Sequence, residues 1–542
     1  MGSTFTRRGL LQASLGGSAL LGLGALVGCS SSGTGTGDAV NGASNNKAML
    51  PDHLPYDGIT PDFPGQPGLS TDAYATYPSE PVRAYATAPG DGQPLSGLSY
   101  FNGSLRPDLD RNLYWQAMNT AIGSDLQITV VPAAEYGSKF ATVTAGNTLP
   151  DMFTILPTLP AIPQLLQARA VDLTPYLAGD AITAYPSLAN IPTASWQGCV
   201  FGGKIRALPI ERGLQTTKLM YLRRDIAESA GLDAQVSDFA DFRSLCAELS
   251  APQSNRWALA NLPLDYVRSM LAIAGPWTLE GGTIVSNWTR EEQLDALEAA
   301  RGLYEAGYLN PDVLAAPPSQ TNEWFHAGTA ALKWDTYSAW TGFYVYSGVE
   351  GFGVQGLPVP GFDGGKGQPV LGAPNIAVSA ISADSEDRIE TILKIADWLA
   401  APFGTQEYLL NKYGEEGVHH ELQDGNPVLL DERKGEYGLG HIYLAASPTV
   451  FYYPGSAEIS REPQDHQRSM LPDAVPDPTV GLYSETGSRS FAGIVQDVEA
   501  LEADIIGGRR PVSEWTSEIE AVLAGGLQSI LDEYNEAYEQ SQ

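Results

Sequence analysis

What most constrains this chain is a rhythm that begins near Leu98. "LSYFNGSLRPDLDRNLYWQAMNTAI" reads as a short strand, a loop and a helix, and "LQITVVPA" as a strand, from its alternation and β-branched residues. "EYGSKFATVTAGN" sets Tyr136, Phe140 and Val143 at helical spacing and stops at Gly146; "LPDMFTI" is the next strand. Strand, helix, strand, helix, strand predicts an α/β chain built on a mainly parallel sheet with helices on both faces.

Helical patterns recur to the end of the chain. "TREEQLDALEAARGLYEAG" opens on a capping box, Thr289 to Glu292, and carries Leu294, Leu297, Arg301 and Tyr304 on one face. "DSEDRIETILKIADWLA" spaces Ile389, Ile392, Leu393, Ala396 and Leu399 helically up to Pro402, and the last segment is a helical pair broken at Gly525-Gly526. No internal repeat occurs. About 440 residues of such alternation exceed one comfortable core, so two lobes are expected.

The amino terminus carries a different signal. Gly9 to Gly28 is apolar, glycine-rich and free of acid, with Arg7 and Arg8 in front. A basic start followed by an apolar run is the export pattern, and "TRRGLLQ" resembles a twin-arginine signal. Leu26-Val27-Gly28-Cys29 resembles the lipobox of bacterial lipoproteins. The resemblance implies cleavage before Cys29, lipidation of its thiol and acylation (palmitate-type chains) of the new terminus, which anchors durably because each buried methylene contributes about 0.8 kcal/mol. Residues 1–28 are thus expected to be a signal, and 29–97 a tether, flexible through "SSSGTGTGDAVNGASNN" and proline-rich after it. Tyr74, Tyr77 and Tyr85 suggest that its second half lies against the body.

Net charge is −32 for the whole chain, with 63 acidic and 31 basic residues. Such acidity argues against nucleic acid or anionic lipid as partner, since both attract basic surfaces; the membrane would be met through the lipid alone. It leaves an acidic sugar open, because one local arginine can overrule the global field. Cys199 and Cys246 are read as buried free thiols rather than as a disulfide framework.

Several segments together resemble the family 1 extracellular solute-binding proteins of ABC importers, especially the large lipoprotein branch linked to oligosaccharide uptake. They are "AGNTLPDMF", "GKIRALPIERG", "LMYLRRDIAESAGL", "WFHAGTAALKWDTYSAW" and "WLAAPFGTQEYLLNKYGEEGVHH", in that order and spacing. The resemblance implies a periplasmic-binding-protein-like (type II) fold, two α/β lobes joined by hinge crossings around a cleft. By that analogy "RALPIE" and "LKWDTY" are crossings, lobe one is 98–209 plus 333–376, and lobe two is 210–332 plus 377–542. It also implies a monomeric receptor on the outer face of the cytoplasmic membrane that captures an oligosaccharide and passes it to ABC permease subunits, without cofactor or catalysis. A surface glycan-active enzyme, a binder of a non-sugar solute such as a peptide, and an adhesive lipoprotein remain alternatives.

A sugar site needs flat rings for C–H faces and carboxylates, amides or arginines for hydroxyls. "KWDTYSAW" supplies Trp334, Asp335, Tyr337 and Trp340, in a segment where the family places a stacking aromatic. "PIERG" supplies Glu211 and Arg212 at the other crossing, for sugar hydroxyls or a hinge salt bridge. The first strand-end loop offers Asn102, Ser104 and Arg106; "NLPLDY" and "AGPW" offer Asn261, Tyr266 and Trp277. Trp115 and Trp196 are read as core. In "YGEEGVHHEL", Glu415, Glu416, His419 and His420 could hold a metal, but no second cluster follows, and a structural or ligand-contacting loop with His419 is the better reading. "GFGVQG" is followed by prolines that forbid a phosphate-holding helix. Asp108, Asp110 and Asn112 imitate a calcium loop, but Leu113 stands where glycine is needed and Asn119 where the closing glutamate should be.

Overall fold

The computed structural model describes residues 50–102 and 105–541, all within one compact unit. The signal, Cys29, the first part of the tether and Ser104 lie outside the described residues.

The first sheet is built from β1 (Leu95–Phe101), β2 (Leu126–Pro132), β3 (Met152–Ile155) and β4 (Leu208–Glu211). Between them run α1 (Leu113–Ile122), α2 (Ala133–Ala145) and α3 (Ile162–Arg169). Asn112 caps α1 by accepting from Trp115 N, and left-handed Gly123 ends it. Tyr136 and Phe140 are the buried face of α2, as their spacing requires. The chain then crosses at 212–217 into a second sheet of β5 (Lys218–Arg223), β6 (Trp257–Leu259), β7 (Ala330–Thr336) and β8 (Val354–Leu357). Its helices include α4 (Leu264–Met270), α5 (Glu292–Glu305) and α6 (Trp340–Tyr346). A second crossing at 369–374 returns to the first sheet as β9 (Asn375–Ile381), followed by α7 (Ile389–Leu399) and α8 (Gln406–Tyr413). A third, at 446–450, leads back to α9 (Ala457–Met470), α10 (Glu485–Ile506) and α11 (Gln528–Ser541).

Strand order is β2-β1-β3-β9-β4 in the first sheet and β8-β5-β7-β6 in the second. β1 lies parallel to β2 and β3, while β9 is antiparallel to β3 and β4. Each sheet has its own apolar core, and a third cluster joins α4 and α5 to α10 and α11. The result is two α/β lobes.

The lobe boundaries differ from those expected. "LKWDTY" is no crossing: β7 pairs with β5 on one side and β6 on the other, with five consecutive buried residues, as a central strand covered on both faces should have. Residues 333–368 therefore belong to lobe two, and 377–445 pack into lobe one through β9 and α7. The tether also ends earlier. Residues 50–94 are packed as a strap that runs over lobe one, then lobe two, then lobe one again. Asp52 N bonds Gly179 O at 3.0 Å, Ala73 and Tyr74 pair with Phe451 and Tyr452, and the Tyr85 hydroxyl donates to Asp397 at 2.5 Å. The capping box at Thr289 does not form, because that hydroxyl donates to Ser286 O (2.7 Å) and α5 starts at Glu292. α5 buries Leu297 with Gln293, Ala296, Ala300 and Leu303, leaving Arg301 and Tyr304 half-buried. The α7 pattern is met in full, and the helix break falls at Gly526, with φ of 141°.

Candidate functional site

Strands of an α/β sheet present ligands to the loops at their carboxyl ends. In lobe two these are the residues after β6 and β7. A cavity of about 600 Å³ opens there, lined by lobe two, by Thr216 at the first crossing and Lys218 at the start of β5, by Pro369–Gly372 at the second crossing, and by one face of α10.

Trp334 forms part of its wall. Two hydrogen bonds from the Asn261 side chain fix its place in β7: Nδ2 donates to Trp334 O at 2.8 Å, and Oδ1 accepts from Trp334 N at 3.0 Å. Trp334 is 8 % exposed, and its indole Nε1 is buried without a hydrogen-bond partner among the described residues. Around it stand charged groups held by one another. Asp265 is 3.6 Å from Lys218 and 3.2 Å from Arg268, and Arg268 also binds Glu502. Exclusion of water, then the Asp265 charge, raises the Glu499 carboxyl above its usual range. Flat apolar surface bordered by paired charges suits a hydroxyl-rich ligand with apolar faces.

On lobe one, the loop after β1 leaves Asn102 exposed and lays the Arg106 guanidinium over the Phe101 ring, 5.1 Å from its centroid. Tyr346, the last residue of α6 in lobe two, shares an electrostatic interaction with Arg106. At the first crossing Glu211 and Arg212 make no ion pair with each other. Glu211 Oε2 accepts from Thr449 N at 3.1 Å, while Arg212 Nη1 donates to Glu211 O at 2.7 Å and Arg212 O accepts from the Thr449 hydroxyl at 3.1 Å. This pair ties the first crossing to the third. Burial pushes the Glu211 carboxyl up to about 7.

Other expected contacts lie in the interior. β7 ends at Thr336, and the turn Tyr337–Ala339 leads into α6. That turn sends Tyr337 and Trp340 inward together. The Tyr337 hydroxyl meets His466 Nδ1 at 2.6 Å, and Trp340 packs on Tyr221 with centroids 5.3 Å apart. Tyr266 is fully buried, its hydroxyl donating to Pro358 O at 2.7 Å, and Trp277 stacks on Phe491 at 5.2 Å in the third core cluster. His419 is fully buried with Nδ1 accepting from Glu415 N at 3.1 Å and Nε2 3.5 Å from the Glu436 carboxylate. Asp335 is half-buried against Lys333 at 3.0 Å, and Asn261 positions Trp334 through its backbone. Asp265, next to Tyr266 in sequence, is the residue of that pair that reaches the cavity; helical phase distinguishes them, and composition does not. Among the described residues no group of three His, Cys, Asp or Glu side chains is arranged to hold a metal, and no helix is long and apolar enough to cross a membrane. Cys199 and Cys246 are free and buried.

Two lobes with chain crossings between them, and a polar-rimmed cavity at the strand ends of one, make a fold with room for a small ligand. The chain belongs to the bacterial extracellular solute-binding protein family, whose profile matches residues 109–405. Lipoprotein LipO of Bacillus subtilis is 21 % identical over 468 residues, 80 % of this chain and 90 % of LipO. Among solved structures, the alginate-binding protein AlgQ2 shares the fold at a TM-score of 0.62 and 14 % identity, over 84 % of this chain and 99 % of AlgQ2. The N-glycan transport protein NgtS of Streptococcus pneumoniae, in complex with Man5GlcNAc, aligns at 0.61 and 18 % identity, over 83 % and 98 %.

Proposed function

We propose that the chain is a lipid-anchored receptor that captures an oligosaccharide between its lobes and delivers it to an ABC permease. The observation that carries this reading is Trp334: an indole fixed at a strand end by Asn261, on the wall of a cavity of about 600 Å³ rimmed by carboxylates and cations. Two proteins that share the fold, AlgQ2 and NgtS, are an alginate-binding and an N-glycan transport protein, which supports the same reading. Cys29 supplies the anchor, and the receptor acts as a monomer without altering its ligand. Lobe closure follows from ligand contacts made only when both halves are engaged.

Calorimetry of the purified protein against a panel of neutral and acidic oligosaccharides tests the reading. A ligand with Kd near 1 μM, about −8.2 kcal/mol, is expected, together with a loss of about tenfold to a hundredfold in Trp334→Ala and recovery of the bound glycan intact. No binding to any glycan alongside tight binding of a peptide or metal chelate overturns it. Chain-shortened glycan from catalytic amounts of protein replaces it with a glycan-active enzyme.

A further inference from the structure

Arg106, like Arg212 at the first crossing, makes no ion pair among the described residues, whereas Arg268 on the cavity wall lies between Asp265 and Glu502. In a chain with twice as many acidic as basic residues such pairing is easily met. Arg106 nevertheless has its Nε buried without a hydrogen-bond partner among the described residues. It is half-buried, so it has surrendered part of its hydration without gaining an acceptor.

Its surroundings are apolar and flat. The Phe101 ring beneath it is backed by Gly438, at φ of 86°, where a Cβ would come within 2.4 Å of the ring. Tyr346 comes from the opposite lobe and is 49 % exposed. Its phenol is raised by loss of water and drawn back by the Arg106 charge; burial raises Tyr437 and Tyr114 as well, and these two contact each other with centroids 4.7 Å apart. Leu105 and Val349 add exposed apolar surface on the two sides. A guanidinium fork without a carboxylate partner among the described residues, lying on an aromatic face, matches a planar carboxylate carried on a sugar ring.

Toward the hinge, Lys412 lies with its ammonium 5.8 Å from the Tyr408 ring and makes no ion pair among the described residues. Burial, then the Arg212 charge, brings its pKa down to about 8.

We propose that the oligosaccharide carries an acidic unit, and that Arg106, laid over the Phe101 ring, takes its carboxylate. This rests on the receptor reading and sets the substrate class within it. The test is calorimetry with pairs of probes of equal length: oligogalacturonates, oligomannuronates and sialyllactose, each beside its carboxyl-reduced twin. At least one acidic probe is expected to bind tenfold or more tightly than its twin. Arg106→Ala should weaken that probe by about tenfold to a hundredfold, the size of a charge-assisted hydrogen bond, leave the twin unchanged, and keep the thermal melt of the parent. Arg106→Lys should restore part of the loss. Twins that bind equally, or an Arg106→Ala variant that weakens both alike or neither, overturn the proposal while the receptor reading stands. Failure of the whole panel, neutral and acidic, overturns both together.

Discussion

Glu211 shows how much one buried carboxyl can govern. It ends β4, is 5 % exposed, and burial pushes its carboxyl up to about 7, against the partial relief of Thr449 N–H and Arg212. The folded chain therefore keeps a proton that the unfolded chain loses above about 4.5, and stability falls as pH rises through that window. Over the whole window the loss amounts to about 3 kcal/mol at most. Glu211→Gln keeps an acceptor for Thr449 N–H and removes the ionisation. It is expected to melt at a higher temperature than the parent at pH 8 and at the same temperature at pH 4; parallel melting profiles across pH would contradict the assignment. Residue by residue, the site was partly legible. Trp334, the first tryptophan of "KWDTYSAW", reaches the cavity, and Arg106 lies over Phe101 at the end of β1. The two other rings of that segment turn inward because the strand stops at Thr336 and a tight turn resets the phase, which side-chain chemistry alone does not encode.

At the scale of elements, strands and helices announced by strong periodicity lie where the pattern put them, as β2, α2 and α7 do. What misled was extended chain. A proline-rich stretch reads as a linker because it makes no regular ladder, yet such a stretch can still lie in a groove and bond through single contacts. Residues 50–94 do this. Gln464 Nε2 donates to Phe63 O and to Thr71 O, both at 2.8 Å, and Gln467 Oε1 accepts from Thr71 N at 2.9 Å, hooking the strap to α9. Each such bond contributes about 1 kcal/mol. In a Gln464→Ala, Gln467→Ala double variant, amides of residues 63–73 should exchange at least about tenfold faster while those of β5 and β7 keep their protection. Unchanged exchange in the strap would show that the glutamines do not hold it.

For the whole molecule, the boundaries between lobes were the least legible feature, since pairing partners far apart in sequence decide them. β9 returns to β3 across more than two hundred residues and to β4 across more than one hundred and sixty, and no local pattern records that choice. The lobes meet again at the start of α10, where Ala161 N donates to Ser488 O at 2.7 Å and the Gln164 side chain reaches Tyr483 at 3.2 Å. Contacts of this kind are made or broken when two bodies hinge.

Spin labels read that motion directly. Thr142→Cys on lobe one and Glu298→Cys on lobe two are exposed, and native Cys199 and Cys246 are too buried to compete for label. With the oligosaccharide identified by calorimetry at saturation, the interlobe distance distribution should shift to a shorter, narrower peak, and Trp334→Ala should lose the shift at the same glycan concentration. A bound glycan that leaves the distribution unmoved would contradict capture by lobe closure.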